Sequence, residues 1–151
     1  METSDKEFYM REALRLAEEA AGVKEVPIGC IIADEAGLVI GRGRNYREET
    51  GDATAHAEIV AIREACRARK SWHLDGCTLY VTAEPCPMCA GAILNARIPT
   101  VVYGAREEKT GSCGSVIDLF SENYGFHPRV YGGVLREECA AVLRRFFETL
   151  R

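Results

Sequence analysis

Two short segments of this chain hold residue types that can do metal chemistry: His56-Ala57-Glu58, and Pro85-Cys86-Pro87-Met88-Cys89 thirty positions further on. One imidazole and two thiols make a three-ligand zinc set, the pattern that leaves a fourth position for water. Two thiolates offset the charge of Zn²⁺, and the ion can bring the pKa of a bound water to about 7. Glu58 is then the spare carboxylate, placed to move protons rather than to bind metal. Each part alone has a plainer reading. A Cys-x-x-Cys beside a strand and a helix also serves as a thiol–disulfide redox pair. His56 alone is more ordinary as a surface or core histidine. A purely structural zinc, closed by Cys30, Cys77, Cys113 or Cys139, is a third reading.

These segments need elements that bring them together. The chain opens on a helix signature: Ser4 and Glu7 are spaced as a capping box, and Met10, Ala13, Leu14, Ala17 and Ala21 form an apolar stripe ending at Gly22. Apolar runs at residues 28–33 and 38–40, split by Asp34-Glu35-Ala36-Gly37, predict a β-hairpin, with Pro27 at a strand start. Gly41, Gly43 and Asn45 then lead into a polar loop. Thr54 caps a second helix over 54–69, with Ala55, Ile59, Ile62 and Cys66 on one face. A strand at 77–82 feeds a third helix that starts at Pro87 and runs to Asn95, and Pro99 bars its continuation. A strand at 100–104, a Gly-rich charged stretch at 106–115 and a short helix at 116–119 follow. Residues 123–133 are irregular apart from a short strand at 129–131, and a last helix spans 135–150. A hairpin followed by alternating strands and helices predicts an α/β sandwich on a mixed sheet.

Within that frame Cys86 falls at a strand-to-helix junction, where free N–H groups and the helix dipole favour the thiolate. The first segment raises a geometric problem. Residues two apart in an ideal helix point about 200° away from each other. His56 must therefore lie at the frayed start of its helix, with Glu58 reaching round.

Composition narrows the class. At 151 residues, 47% hydrophobic and 28% charged, the chain is expected to fold as one globular domain over residues 1–151. A core of that size needs no disulfide, yet there are seven cysteines, an odd number. The start METSDKEFYM lacks a basic-then-apolar leader and no apolar run approaches a membrane span. These features predict a cytoplasmic protein with no membrane partner, where clustered cysteines mean metal or catalysis more often than staples. A net charge of −4 removes the case for broad electrostatic nucleic-acid binding but allows a local basic patch.

Taken jointly, His-x-Glu at a helix start and Pro-Cys-x-x-Cys at the next strand–helix junction form the signature of zinc-dependent nucleobase deaminases. Nearly the whole chain resembles the bacterial tRNA-specific adenosine deaminases of the cytidine deaminase-like superfamily. The likeness runs through Glu25-Val26-Pro27-Ile28-Gly29, Gly41-Arg42-Gly43-Arg44-Asn45, Thr54-Ala55-His56-Ala57-Glu58-Ile59 and Glu84-Pro85-Cys86-Pro87-Met88-Cys89-Ala90-Gly91. It continues through Val102-Tyr103-Gly104-Ala105-Arg106, Lys109-Thr110-Gly111, Gly132-Gly133-Val134-Leu135 and Phe146-Phe147. The zinc motif is shared with cytidine, cytosine and guanine deaminases; the later segments are more specific to the tRNA enzymes.

The resemblance implies a three-layer α/β/α sandwich with a central mixed five-stranded sheet. It implies one Zn²⁺ per subunit on His56, Cys86 and Cys89, and a homodimer. The reaction it implies is hydrolytic deamination of adenosine to inosine at the wobble position of a tRNA anticodon loop, by zinc-activated hydroxide with Glu58 as proton shuttle. Asn45 matches the family residue whose side-chain amide meets the target base, and Ala57 joins it as a substrate-binding position. Arg106 and Lys109 fall where anticodon-loop contacts lie, and Arg144, Arg145 and Arg151 offer further backbone contacts; solvated charge is the plain reading of all five. The chain departs from the family pattern at Ala53 (usually Pro), Glu107 (commonly Asp) and Phe126-His127 (usually Asn-His), with one residue fewer from there to Gly133. These changes leave the chemistry untouched and bear on substrate recognition. The alternatives that stay open are a free nucleobase or nucleoside deaminase of guanine or cytosine type, and a non-catalytic structural-zinc RNA-binding module.

Overall fold

The computed structural model describes residues 3–150, so Arg151 lies outside the described residues. Five strands, β1 (Gly29–Ala33), β2 (Val39–Arg44), β3 (Thr78–Ala83), β4 (Thr100–Ala105) and β5 (Arg129–Tyr131), form one sheet in the order β2-β1-β3-β4-β5. β1 is antiparallel to β2 and β3, while β3, β4 and β5 run parallel, so the sheet is mixed as expected.

Helices cover both faces, which is why the central strands are continuous apolar runs. Ile31, Tyr80 and Val102 point toward α1 (Thr3–Gly22) and α5 (Arg136–Thr149). Their alternate neighbours Cys30, Ile32, Leu79, Val81 and Val101 point toward α3 (Ala57–Arg69) and α4 (Pro87–Asn95). The result is the three-layer α/β/α sandwich. Fully buried side chains such as Leu79 and Ile93 each contribute roughly 1.5–3 kcal/mol. No helix among the described residues is long and apolar enough to cross a membrane.

Several boundaries move for physical reasons. α1 already includes Thr3, so Ser4 sits inside its first turn rather than capping it, and Ala20 rather than Ala21 completes the buried stripe. The polar loop expected over Gly41 and Gly43 is the second half of β2. A Cβ at Gly41 would stand 2.3 Å from the Ala61 carbonyl oxygen, and one at Gly43 the same distance from that of Ala57. Two glycines thus let α3 lie directly on the strand, and the helix presents Ala57, Ala61 and Ala65 there. That overturns the expected buried face: Ile59, Ile62 and Cys66 are half-buried beside it, and Ala55 precedes the helix. Thr54 is not the cap either, because Asp52 Oδ1 takes its N–H and hydroxyl at 2.8 and 2.7 Å. A one-turn helix, α2 (Arg47–Thr50), was not foreseen. The short helix expected at 116–119 is instead a 3₁₀ turn at Leu119–Ser121, since the amides of Val116 and Leu119 pair back to Gly111 and Ser112. α5 starts one residue late because Leu135 is left-handed, at φ +52°.

Candidate active site

β3 ends at Ala83, and two residues later the chain turns into α4 with Cys86 as its N-cap, extended at φ −77° and ψ 175°. Pro87 occupies the first helical position, where a missing N–H is harmless and a fixed φ helps. Cys89 follows at the third. This N-cap-to-third-residue spacing, the same one a capping box uses, brings both sulfurs to one helix start. His56 caps the neighbouring α3 in a similar extended conformation, φ −77° and ψ 153°. Being outside the helix, it escapes the 200° separation and shares a site with Glu58.

The two helix starts converge. His56 Nδ1 lies 3.6 Å from Cys86 Sγ and 3.4 Å from Cys89 Sγ. All three donor atoms fall within 4.8 Å of one another, the one such group of three or more among the described residues. Cys30, Cys77, Cys113 and Cys139 do not join it, so a fourth protein ligand is not assembled. Hydrogen bonds from Cys89 and then His56 pull the Cys86 thiol down to about 4 against the effect of burial. Cys89 is pushed far above the ordinary thiol range by its bond to Cys86 and by burial, and that same Cys86 partner raises His56. One proton is thus retained between two sulfurs, and a dication bound there would release it. Two sulfurs and an imidazole nitrogen at this separation suit zinc.

Glu58, the second residue of α3, is buried, and burial pushes its carboxyl up to about 7. It lines a cavity of about 370 Å³ together with His56, Cys86 and Asn45. Asn45 is buried directly after β2, and its Oδ1 accepts the Ala57 N–H at 2.9 Å, which leaves the amide NH₂ as its remaining side-chain donor. Ala57 itself is fully buried and does not line the cavity. Arg106 and Lys109 lie on the exposed surface of the loop after β4 and are likewise outside the lining; Arg106 Nε donates to Ser115 Oγ at 3.1 Å. Arg144 and Arg145 are exposed on α5.

Arg47 from α2, Thr110 from the loop after β4 and Phe147 from α5 line the cavity without a role assigned from sequence, and Glu107, which the sequence marks as bearing on substrate recognition, lines it too. Two buried carboxylates also went unnoticed. Glu25 accepts the N–H groups of Glu48 and Glu49 at 3.1 and 2.8 Å, fixing α2. Glu84 accepts N–H groups from the loop after β4. Burial alone would raise the Glu84 pKa, but these bonds and one from the Ser115 hydroxyl lower it. A sequence does not say which acidic residues are buried; the clue available was that Glu84 directly precedes Pro85-Cys86.

Comparison with known proteins agrees with this geometry. The profile described as "Cytidine and deoxycytidylate deaminase zinc-binding region" matches residues 3–105. The tRNA-specific adenosine deaminase of Bacillus subtilis is 45% identical over 146 residues, covering 96% of this chain and 90% of that protein. The tRNA(Ile)-lysidine synthase of Deinococcus radiodurans is 49% identical over 142 residues; the match covers 94% of this chain, which spans about a quarter of that longer protein (24%). A solved structure from studies of A-to-I editing by tRNA:A34 deaminases at the wobble position superposes with a TM-score of 0.86 at 44% identity, covering 90% of this chain and 99% of that one.

Proposed function

This chain belongs to the tRNA-specific adenosine deaminases, within the zinc-binding cytidine and deoxycytidylate deaminase family, and on that premise we propose that it converts adenosine to inosine at the wobble position of a tRNA anticodon loop. The observation that carries the reading is a three-donor group, His56, Cys86 and Cys89, at the wall of a cavity that also holds the buried carboxyl of Glu58. Those three residues would hold one zinc per subunit. When bound, the ion supplies an acidified water at neutral pH as nucleophile. Glu58 takes one proton from the attacking water and delivers it to a ring nitrogen, then takes the proton of the hydroxyl newly formed on C6 and delivers it to the departing amino group. Adenosine and water thereby become inosine and ammonia. A raised carboxyl pKa suits a group that must both accept and donate.

Asn45, held by the Ala57 N–H, presents its amide NH₂ to an acceptor on the purine edge. Ala57 therefore serves substrate binding by orienting Asn45. Arg106 and Lys109 contact the RNA backbone from the loop, and the base leaves the stack to enter the cavity, which is easiest from a single-stranded loop. Residues 1–151 act as one deaminase domain in the cytoplasm, a reading supported by seven cysteines that are all free. The enzyme works as a homodimer. A depression of about 460 Å³ beside α4, with the exposed Trp72 and Tyr124 in its walls, supports that reading as a surface a second copy could cover.

Incubation with tRNAs, anticodon stem-loops, free nucleosides and free bases, assayed for inosine and released ammonia, tests the reading. Inosine confined to the wobble position of RNA is the expected result; deamination confined to free small molecules overturns the substrate assignment.

A further inference from the structure

The buried carboxylate of Glu84 takes no part in the chemistry described above, yet it lines the cavity and carries four hydrogen bonds. It is 3% exposed. Its Oε1 accepts the Glu107 N–H at 3.2 Å and the Ser115 hydroxyl, and its Oε2 accepts the N–H groups of Cys113 and Ser115 at 3.0 and 3.1 Å. Four donors from one loop thus converge on one side chain that directly follows β3, two residues before Cys86. The backbone reinforces the anchor: the Glu84 N–H donates to the Ala105 carbonyl at 2.8 Å and the Ser112 N–H to the Pro85 carbonyl at 2.9 Å. At the centre of the turn, Gly111 packs so closely that a Cβ there would lie 2.4 Å from the Glu107 carbonyl oxygen and 2.5 Å from Glu84 Cδ. The loop wrapped on this anchor contributes Glu107 and Thr110 to the cavity lining and carries Arg106 and Lys109 outside it.

We infer that Glu84 is a positioning residue for substrate: its carboxylate holds residues 107–115 as the wall of the cavity, so that the grip of this loop on RNA depends on a side chain fixed directly after the end of β3. The inference rests on the RNA-deaminase reading. Two further features favour a loop-shaping role over general stabilisation. All four bonds go to the loop, none to α3 or to His56. Also, Glu84 is the point where the sheet, the metal-side helix start and the loop meet, so moving the loop need not move the triad.

Glu84→Gln keeps the shape but replaces one acceptor oxygen with a donor, leaving loop amides without their partner. On an anticodon stem-loop substrate its KM should rise roughly tenfold, with kcat falling less than KM rises and zinc still stoichiometric. Hydrogen exchange of the Glu107, Cys113 and Ser115 amides should accelerate by a similar factor while amides of α4 keep their protection. Ser115→Ala, which removes one donor to Glu84 and also the acceptor of Arg106 Nε, should show the exchange effect more weakly and guards, on that readout, against a misfolded Glu84→Gln protein. Unchanged exchange at those three amides overturns the inference, and so does loss of zinc together with kcat at constant KM. A wild-type enzyme inert on every RNA, with exchange responding as expected, instead removes the substrate reading and with it the substrate half of this inference.

Discussion

The floor and the rim of the cavity are built on different principles. At the floor, His56 and Cys86 are the cap residues of two helices packed side by side on the sheet, so their places follow from strand register and helix starts. At the rim, α2 buries no residue of its own, and both α2 and the loop after β4 are tied to the frame through a buried carboxylate, Glu25 or Glu84. A reaction common to a wide family suits a floor that the fold itself dictates. Recognition of a particular nucleic acid suits a rim that can vary without disturbing the floor.

If this division is right, floor substitutions should abolish chemistry and rim substitutions should only weaken binding. The largest effect is expected from Cys86→Ala, which should lose both zinc and turnover; metal analysis showing full zinc and catalysis would remove Cys86 from the ligand set. Glu58→Gln should keep stoichiometric zinc while kcat drops by roughly 10²–10⁴, separating proton transfer from metal binding at the same floor. Stripping the metal gives a third test, read by thiol alkylation. Cys86, at about 4, is a thiolate throughout pH 6–8, so its labelling rate should stay level across that range. Cys77, pushed up to about 11 by burial, should label about tenfold faster per pH unit while remaining slow. A Cys86 rate that climbs with pH like that of an ordinary thiol contradicts the picture.

Gly43→Ala probes the seam between floor and frame. Its Cβ would collide with the Ala57 carbonyl and push α3, whose cap is His56. Melting should show a loss of roughly 1–3 kcal/mol, a drop of about 3–10 °C. The smallest effect is expected at the outer rim, where Lys109→Ala should raise KM for stem-loop RNA only a few-fold, less at high salt, with kcat unmoved.

Much of the floor was legible without coordinates. Pro87 after Cys86 marked a helix start, and the Cys-x-x-Cys spacing is what places two side chains at one such start, so α4 was read with its bounds intact. A hairpin followed by alternating strands and helices likewise indicated the α/β sandwich on a mixed sheet. Where local signals and packing disagreed, packing prevailed. Thr54 reads as a cap, but Asp52 occupies its hydrogen bonds and the helix begins at Ala57. Gly41 and Gly43 read as a loop, because glycine's usual reason is turn geometry; here the reason is a helix backbone lying against the strand.

The sequence by itself determined the donor set, its helix-start setting and the sandwich, because these rest on local periodicity, capping and residue chemistry. Only the tertiary structure decided which charges are buried and what they hold. It placed Arg47 and Phe147 at the cavity, left Arg106 and Lys109 outside its lining, and made Glu25 and Glu84 anchors rather than surface acids. A carboxylate's role depends on which distant N–H groups reach it, and that is settled by chain topology over separations of 23 to 31 residues, beyond the range of any local pattern.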